Sequence, residues 1–203
     1  MEKLTKTAKT LDKVFSILYS VFTALAIAAG VCIGILVIGY LLKLDPETIG
    51  TGYESLDFGA LELQIADGFA PGKWYVLLQA GVVLALCCAC VLIGRQGIRY
   101  IRAILHPMTE GKPFDNAVSI NLKKLSILSI VLGIALNVCL LVEQVMTVYA
   151  YDLTNLLISE KITHISVNLE FDLTFLLFSA FLLLLSYVFH YGEELQKLSD
   201  ETV

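Results

Sequence analysis

Hydrophobic positions in this chain of 203 residues fall into four long runs, Val14–Leu42, Trp74–Gly94, Leu125–Val148 and Leu173–Tyr191. Crossing the hydrocarbon core of a bilayer takes roughly 20 mostly apolar residues in a helix. Lipid offers no partner to backbone N–H and C=O groups, so each run must satisfy them internally as a helix. The pattern predicts an all-α integral membrane protein with four transmembrane helices. It forms one domain over residues 1–203, with outer loops at 43–73 and 149–172 and an inner loop at 95–124. A secretory signal has an apolar region of only about 7–15 residues. The first run continues to Leu42 without a charge, so it reads as an uncleaved span. At ~1.5 Å per residue it exceeds the hydrocarbon thickness and is expected to tilt or project past it.

The polar segments carry patterns of their own. In the first outer loop Leu61, Leu63 and Ile65 alternate with Glu62 and Gln64. In the second, Ile165, Val167, Leu169 and Phe171 alternate with Ser166, Asn168, Glu170 and Asp172. A period of two is the mark of half-buried strands. The expectation is a small extracytoplasmic β-hairpin or sheet formed by the two outer loops, resting on the helices because isolated hairpins are marginal in water. In the inner loop Ile98, Ile101 and Leu105 recur at helical spacing, and Arg95, Arg99 and Arg102 mark another face. This predicts a helix leaving the membrane with its arginines near anionic headgroups. Pro107 is expected to end it. Gly111-Lys112-Pro113-Phe114 reads as a turn, and Asp115 as the cap of a helix that starts at Asn116 and enters the third run. The stretch after Tyr191 is expected to extend the last helix briefly.

Composition agrees with a membrane protein. The chain is 57% apolar, against about 45–50% for average soluble domains, and its mean hydropathy is +0.78. Charge distribution gives the orientation. Lys3, Lys6, Lys9, Lys13, Arg95, Arg99, Arg102, Lys112, Lys123, Lys124 and Lys197 lie on one side of the predicted spans, and only Lys43, Lys73 and Lys161 on the other. The positive-inside rule then places both termini and the middle loop in the cytoplasm of a multi-pass plasma-membrane protein. The outer side holds ten carboxylates against those three lysines. That is either a solvated surface or an attraction for cations and cationic peptides.

Candidate chemistry is sparse. Glu143 is a carboxylate inside a span, with Gln144 beside it and Asn137 on the same helix. An intramembrane ionisable residue raises the possibility of an ion or proton site, and polar contacts between helices are the alternative. Ala26, Gly30 and Gly34 form a small-residue stripe on the first span, suited to packing within one copy or to a homodimer. Cys32, Cys87, Cys88, Cys90 and Cys139 all lie within spans, where no disulfide framework is expected. Cys87 and Cys90 make a C-x-x-C, but membrane-buried thiols react poorly, so small apolar packing is the reading. His106, His164 and His190 are scattered. There is no nucleophile elbow, phosphate-binding glycine loop or zinc signature, so no catalytic residue, cofactor or metal is expected, and the protein is not expected to be an enzyme.

Two motifs resemble those of the YoaS-like family of four-span bacterial membrane proteins, a domain of unknown function. One is Glu110-Gly111-Lys112-Pro113-Phe114-Asp115. The other is Gly192-x-x-Leu195-Gln196-x-x-x-Asp200-x-Thr202-Val203. The chain departs from that pattern at Lys197-Leu198, where an acidic residue is common. The resemblance implies an encoded neighbour, a small helix-turn-helix transcription regulator of the repressor type. Both motifs fall on the side expected to be cytoplasmic. The leading expectation is therefore a regulatory protein that holds or releases such a regulator through Lys112, Pro113, Phe114, Asp115, Leu195, Gln196, Asp200 and Thr202, without itself binding nucleic acid. The alternatives are a small transporter or permeability protein using Asn137, Glu143 and Gln144, and an envelope-stress or immunity protein acting through the acidic outer face.

Overall fold

The structure, a computed structural model, describes residues 2–42, 55–57, 62–64, 73–150 and 171–201. It is helical in architecture, with α1 (Glu2–Leu41), α2 (Lys73–Thr109), α3 (Asn116–Ala150) and α4 (Thr174–Glu201). All four are long and apolar enough to cross a membrane. Between α1 and α2 lies a short antiparallel ladder of β1 (Ser55–Asp57) and β2 (Glu62–Gln64), with Leu56 opposite Leu63. The expected sheet built from both outer loops is not supported. The ladder pairs two segments of the first loop, and Phe171, at the end of the second loop, has no regular structure. Closing a short loop costs less entropy than joining segments about a hundred residues apart. The alternating stretch before Phe171 lies outside the described residues.

The chain divides into two compact units. The first comprises Met1–Ile27, Ala89–Asn137 and Phe171–Val203. Its core is Val118, Ile104, Leu122 and Leu182, with Leu125, Leu185 and Phe189 packed around them. In this unit α1 meets α2 through an Asp12–Arg102 ion pair of 3.0 Å. Nearby, the Arg95 guanidinium lies over the Tyr19 ring, 4.7 Å from its centroid, and donates to the Tyr19 hydroxyl.

The seam between α3 and α4 uses α3 positions seven residues apart. Ser119, Ser126 and Gly133 on one helix face Ser186, Ser179 and Phe175 on the other. A seven-residue period keeps one stripe of each helix on its partner, and small residues there let membrane helices approach closely. The Ser126 and Ser179 hydroxyls each donate to the other's backbone carbonyl at 2.9 Å, and the Ser186 hydroxyl donates to the Ser119 carbonyl at 2.8 Å. At the end of the seam the Asn137 amide pairs with the Asp172 backbone, donating to its carbonyl and accepting from its N–H, both at 3.0 Å.

These pairings set α4 against the first two-thirds of α3. Beyond Asn137, α3 continues to Ala150, about 20 Å at 1.5 Å per residue. The fourth apolar run is therefore not level with the third.

The second unit comprises Ala28–Cys88 and Val138–Glu170. There the Gln79 amide donates to the Thr147 hydroxyl at 2.9 Å, which donates in turn to the Glu143 carbonyl at 2.9 Å. The Cys87 and Cys139 thiols lie 3.9 Å apart.

Candidate functional site

The turn between α2 and α3 is built by a helix stop and a helix start in close succession. Pro107 does not end α2 as expected, because its missing N–H and ring act only on the preceding turn, and the helix continues to Thr109. The stop is Gly111, at φ +78°, the left-handed region where glycine carries no Cβ penalty. Around it the Lys112 N–H bonds the Pro107 carbonyl at 3.0 Å and the Gly111 N–H bonds the Met108 carbonyl at 3.3 Å. This is the Schellman arrangement, which satisfies the last carbonyls of a helix. The start is Asp115, whose carboxylate accepts from the Ala117 N–H at 2.8 Å and caps α3, as its position predicted.

Phe114, between stop and start, turns toward α4. Its ring lies against Phe189, with centroids 5.9 Å apart, and over Gly192, where a Cβ would overlap it. The two sequence motifs thus touch. Lys112, Phe114 and Asp115 on one side and Glu193, Gln196 and Lys197 on the other line an open recess of about 320 Å³.

Glu193 is the buried residue of this lining. Its side chain is only 8% exposed. One carboxylate oxygen, Oε1, accepts from Lys197 Nζ at 2.7 Å, while the buried Oε2 accepts no hydrogen bond. Its neighbour His190 Nδ1 stands 3.5 Å away, outside hydrogen-bonding geometry. Buried polar atoms are almost always hydrogen-bonded, so an orphaned carboxylate oxygen calls for an explanation. A second recess, of about 450 Å³, is lined by Asp12, Arg102, His106, Pro107 and Asn121. Its polar groups are engaged, Arg102 with Asp12 and the Asn121 amide with the Ala117 carbonyl at 2.7 Å.

The structure brings Lys112, Phe114, Asp115 and Gln196 together, as the motifs suggested. Pro113 does not line the recess, and Leu195 is exposed away from it. The Asp200 side chain and Thr202 lie outside the described residues. Glu193 escaped the sequence reading, although it continues the seven-residue series Ser179, Ser186 along the buried face of α4. The intramembrane trio does not converge. Asn137 is taken up by Asp172 and by the Gly133 carbonyl, while Glu143 and Gln144 are exposed on α3. Gly30 and Gly34 face open space, since a Cβ at either would meet nothing within 4 Å. The chain matches no protein-family model, no curated protein and no solved structure.

Proposed function

We propose that this is a multi-pass plasma-membrane protein, with both termini cytoplasmic, that docks a cytosolic partner and performs no catalysis. The partner suggested by the YoaS-like motifs is a small helix-turn-helix regulator, held at the membrane or released from it. The observation that supports this reading is the recess between the start of α3 and the end of α4. It joins two motifs far apart in the sequence around the buried carboxylate of Glu193, which is paired with Lys197. On the α3 side it lies away from the third apolar run. Asp115 precedes Lys124, the last charge before the third run, by about 14 Å of helix.

The experiment is a crosslinking pull-down of the intact protein from its native membrane. The expected result is recovery of a DNA-binding regulator, lost on replacing Phe114 by Ala or on deleting residues 192–203. Recovery of nothing but the protein itself would end the docking reading. It would turn attention to the spans, where Glu143→Gln tests the transporter alternative by ion flux in liposomes.

A further inference from the structure

We propose that Cys87 and Cys139 form a peroxide-reactive pair inside the bilayer. A hydroperoxide carried in the hydrocarbon oxidises Cys87, and Cys139 resolves it to a disulfide that ties α2 to α3. The inference is independent of the docking reading and concerns the second compact unit, which holds both cysteines.

The two thiols come from different helices and lie 3.9 Å apart, sulfur to sulfur. A disulfide needs its sulfurs at about 2.05 Å, so roughly 1 Å of movement by each closes the gap. The thiol brought to Cys87 is therefore on another helix, outside the C-x-x-C. Exposure divides the pair as a reactive and a resolving thiol require, for Cys87 is exposed and Cys139 is buried. Cys87 lies thirteen residues after Trp74 and seven before Gly94, the two ends of the second apolar run, so the face that it exposes looks into lipid. Arg95, the first charge beyond it, is about 12 Å further along α2. Charged reagents do not enter hydrocarbon at that depth. An oxidant dissolved in the hydrocarbon reaches Cys87.

The chemistry closes without a base. In the first step the Cys87 sulfur attacks the outer oxygen of the hydroperoxide. The S–O bond forms, the O–O bond breaks, and the thiol proton passes to the departing alkoxide, leaving a sulfenic acid and an alcohol. In the second step the Cys139 sulfur attacks the Cys87 sulfur. The S–S bond forms, the S–O bond breaks, and the Cys139 proton leaves with hydroxide as water. Two thiols are oxidised and one hydroperoxide is reduced. Hydrocarbon disfavours a thiolate, which makes the first step slow. The second joins groups already in contact and is fast. A quinone reacts through a thiolate and needs a base beside it, so a hydroperoxide fits this pair better.

The test uses the full-length protein in nanodiscs of saturated lipid, which adds no hydroperoxide of its own. One sample receives cumene hydroperoxide, which partitions into hydrocarbon, and another tetrathionate, a charged oxidant that stays in water. After the hydroperoxide, maleimide labelling of the unfolded chain is expected to find two fewer of its five cysteines. Peptide mapping is expected to find Cys87 linked to Cys139. Tetrathionate is expected to leave all five thiols. The disulfide is expected to survive a charged aqueous phosphine in the disc and to yield once the chain is unfolded. Cys139→Ser is expected to stop at a sulfenic acid on Cys87, trapped by a cyclic diketone, and Cys87→Ser to lose no thiol. Five free cysteines after the hydroperoxide, a bond joining any other pair, an equal yield with tetrathionate, or oxidation of Cys139 in Cys87→Ser each overturns the proposal. Mapping of the wild type decides the pairing even where a variant fails to fold.

Discussion

Asp172 has two tasks at the start of α4. Its backbone pairs with Asn137, and its carboxylate accepts from the Thr174 N–H at 2.8 Å. Hydrogen bonds from the Thr174 hydroxyl, and then from its backbone amide, hold the carboxylate below its ordinary value of 3.8. A carboxylate with a lowered folded-state pKa adds stability that is fully present above the ordinary value. That stability is lost as pH falls through the lowered one. Wild type is therefore expected to lose melting temperature relative to Asp172→Asn as pH drops below 3.8. Asparagine keeps the cap without the charge. A difference that stays flat across an acid series of thermal melts would show that this carboxylate is not coupled to folding. Residues such as Asp172 and Glu193 are hard to read singly. Asp115 was legible because a cap lies next to the turn that it follows. Glu193 sits between ordinary surface residues, and only its seven-residue spacing from Ser186 and Ser179 marks it as buried.

Hydropathy located all four long helices, because apolar length alone decides what lipid accepts. The register between them was not legible, since it depends on which small residue meets which. The serine seam and the Asn137–Asp172 pair fix α4 so that Phe181 stands near the level of Lys124 on α3. Residues of α4 beyond Phe181 then project past the charges that mark the membrane end of α3. In a chain stripped of its five native cysteines, Val188→Cys and Tyr191→Cys on the exposed face of α4 are expected to react with an impermeant maleimide. The reaction should come from the side that carries Lys123 and Lys124. Leu177→Cys, also exposed in the chain but level with the third apolar run, is expected to be protected by lipid. Protection of all three would place α4 level with α3 and break the serine register. The short ladder in the first loop was illegible for a related cause. Alternation marks strand-like segments but does not say which of them pair.

At the scale of the molecule, α1 buries the smallest share of its most apolar window among the four helices. None of its most apolar window is buried within the chain, against 17% for each of the other three. Ala26, Gly30 and Gly34 share one face at four-residue spacing, and Gly30 and Gly34 have nothing within 4 Å of where a Cβ would stand. A homodimer through this stripe is a use that its small residues suit and that experiment can test. Two-fold pairing would present two recesses to one partner. A dimeric regulator could then engage both, gaining avidity without any new contact. The prediction is Gly34→Leu, with Gly30→Leu as its companion. Open space around both positions means that the thermal melt in detergent should stay within about 0.5 kcal/mol of wild type. A leucine on the stripe should hold two helices apart and abolish the dimer seen by crosslinking and by sedimentation equilibrium in micelles. A dimer that survives both substitutions would move the interface off α1. A wild type that sediments as a monomer would leave the stripe to lipid.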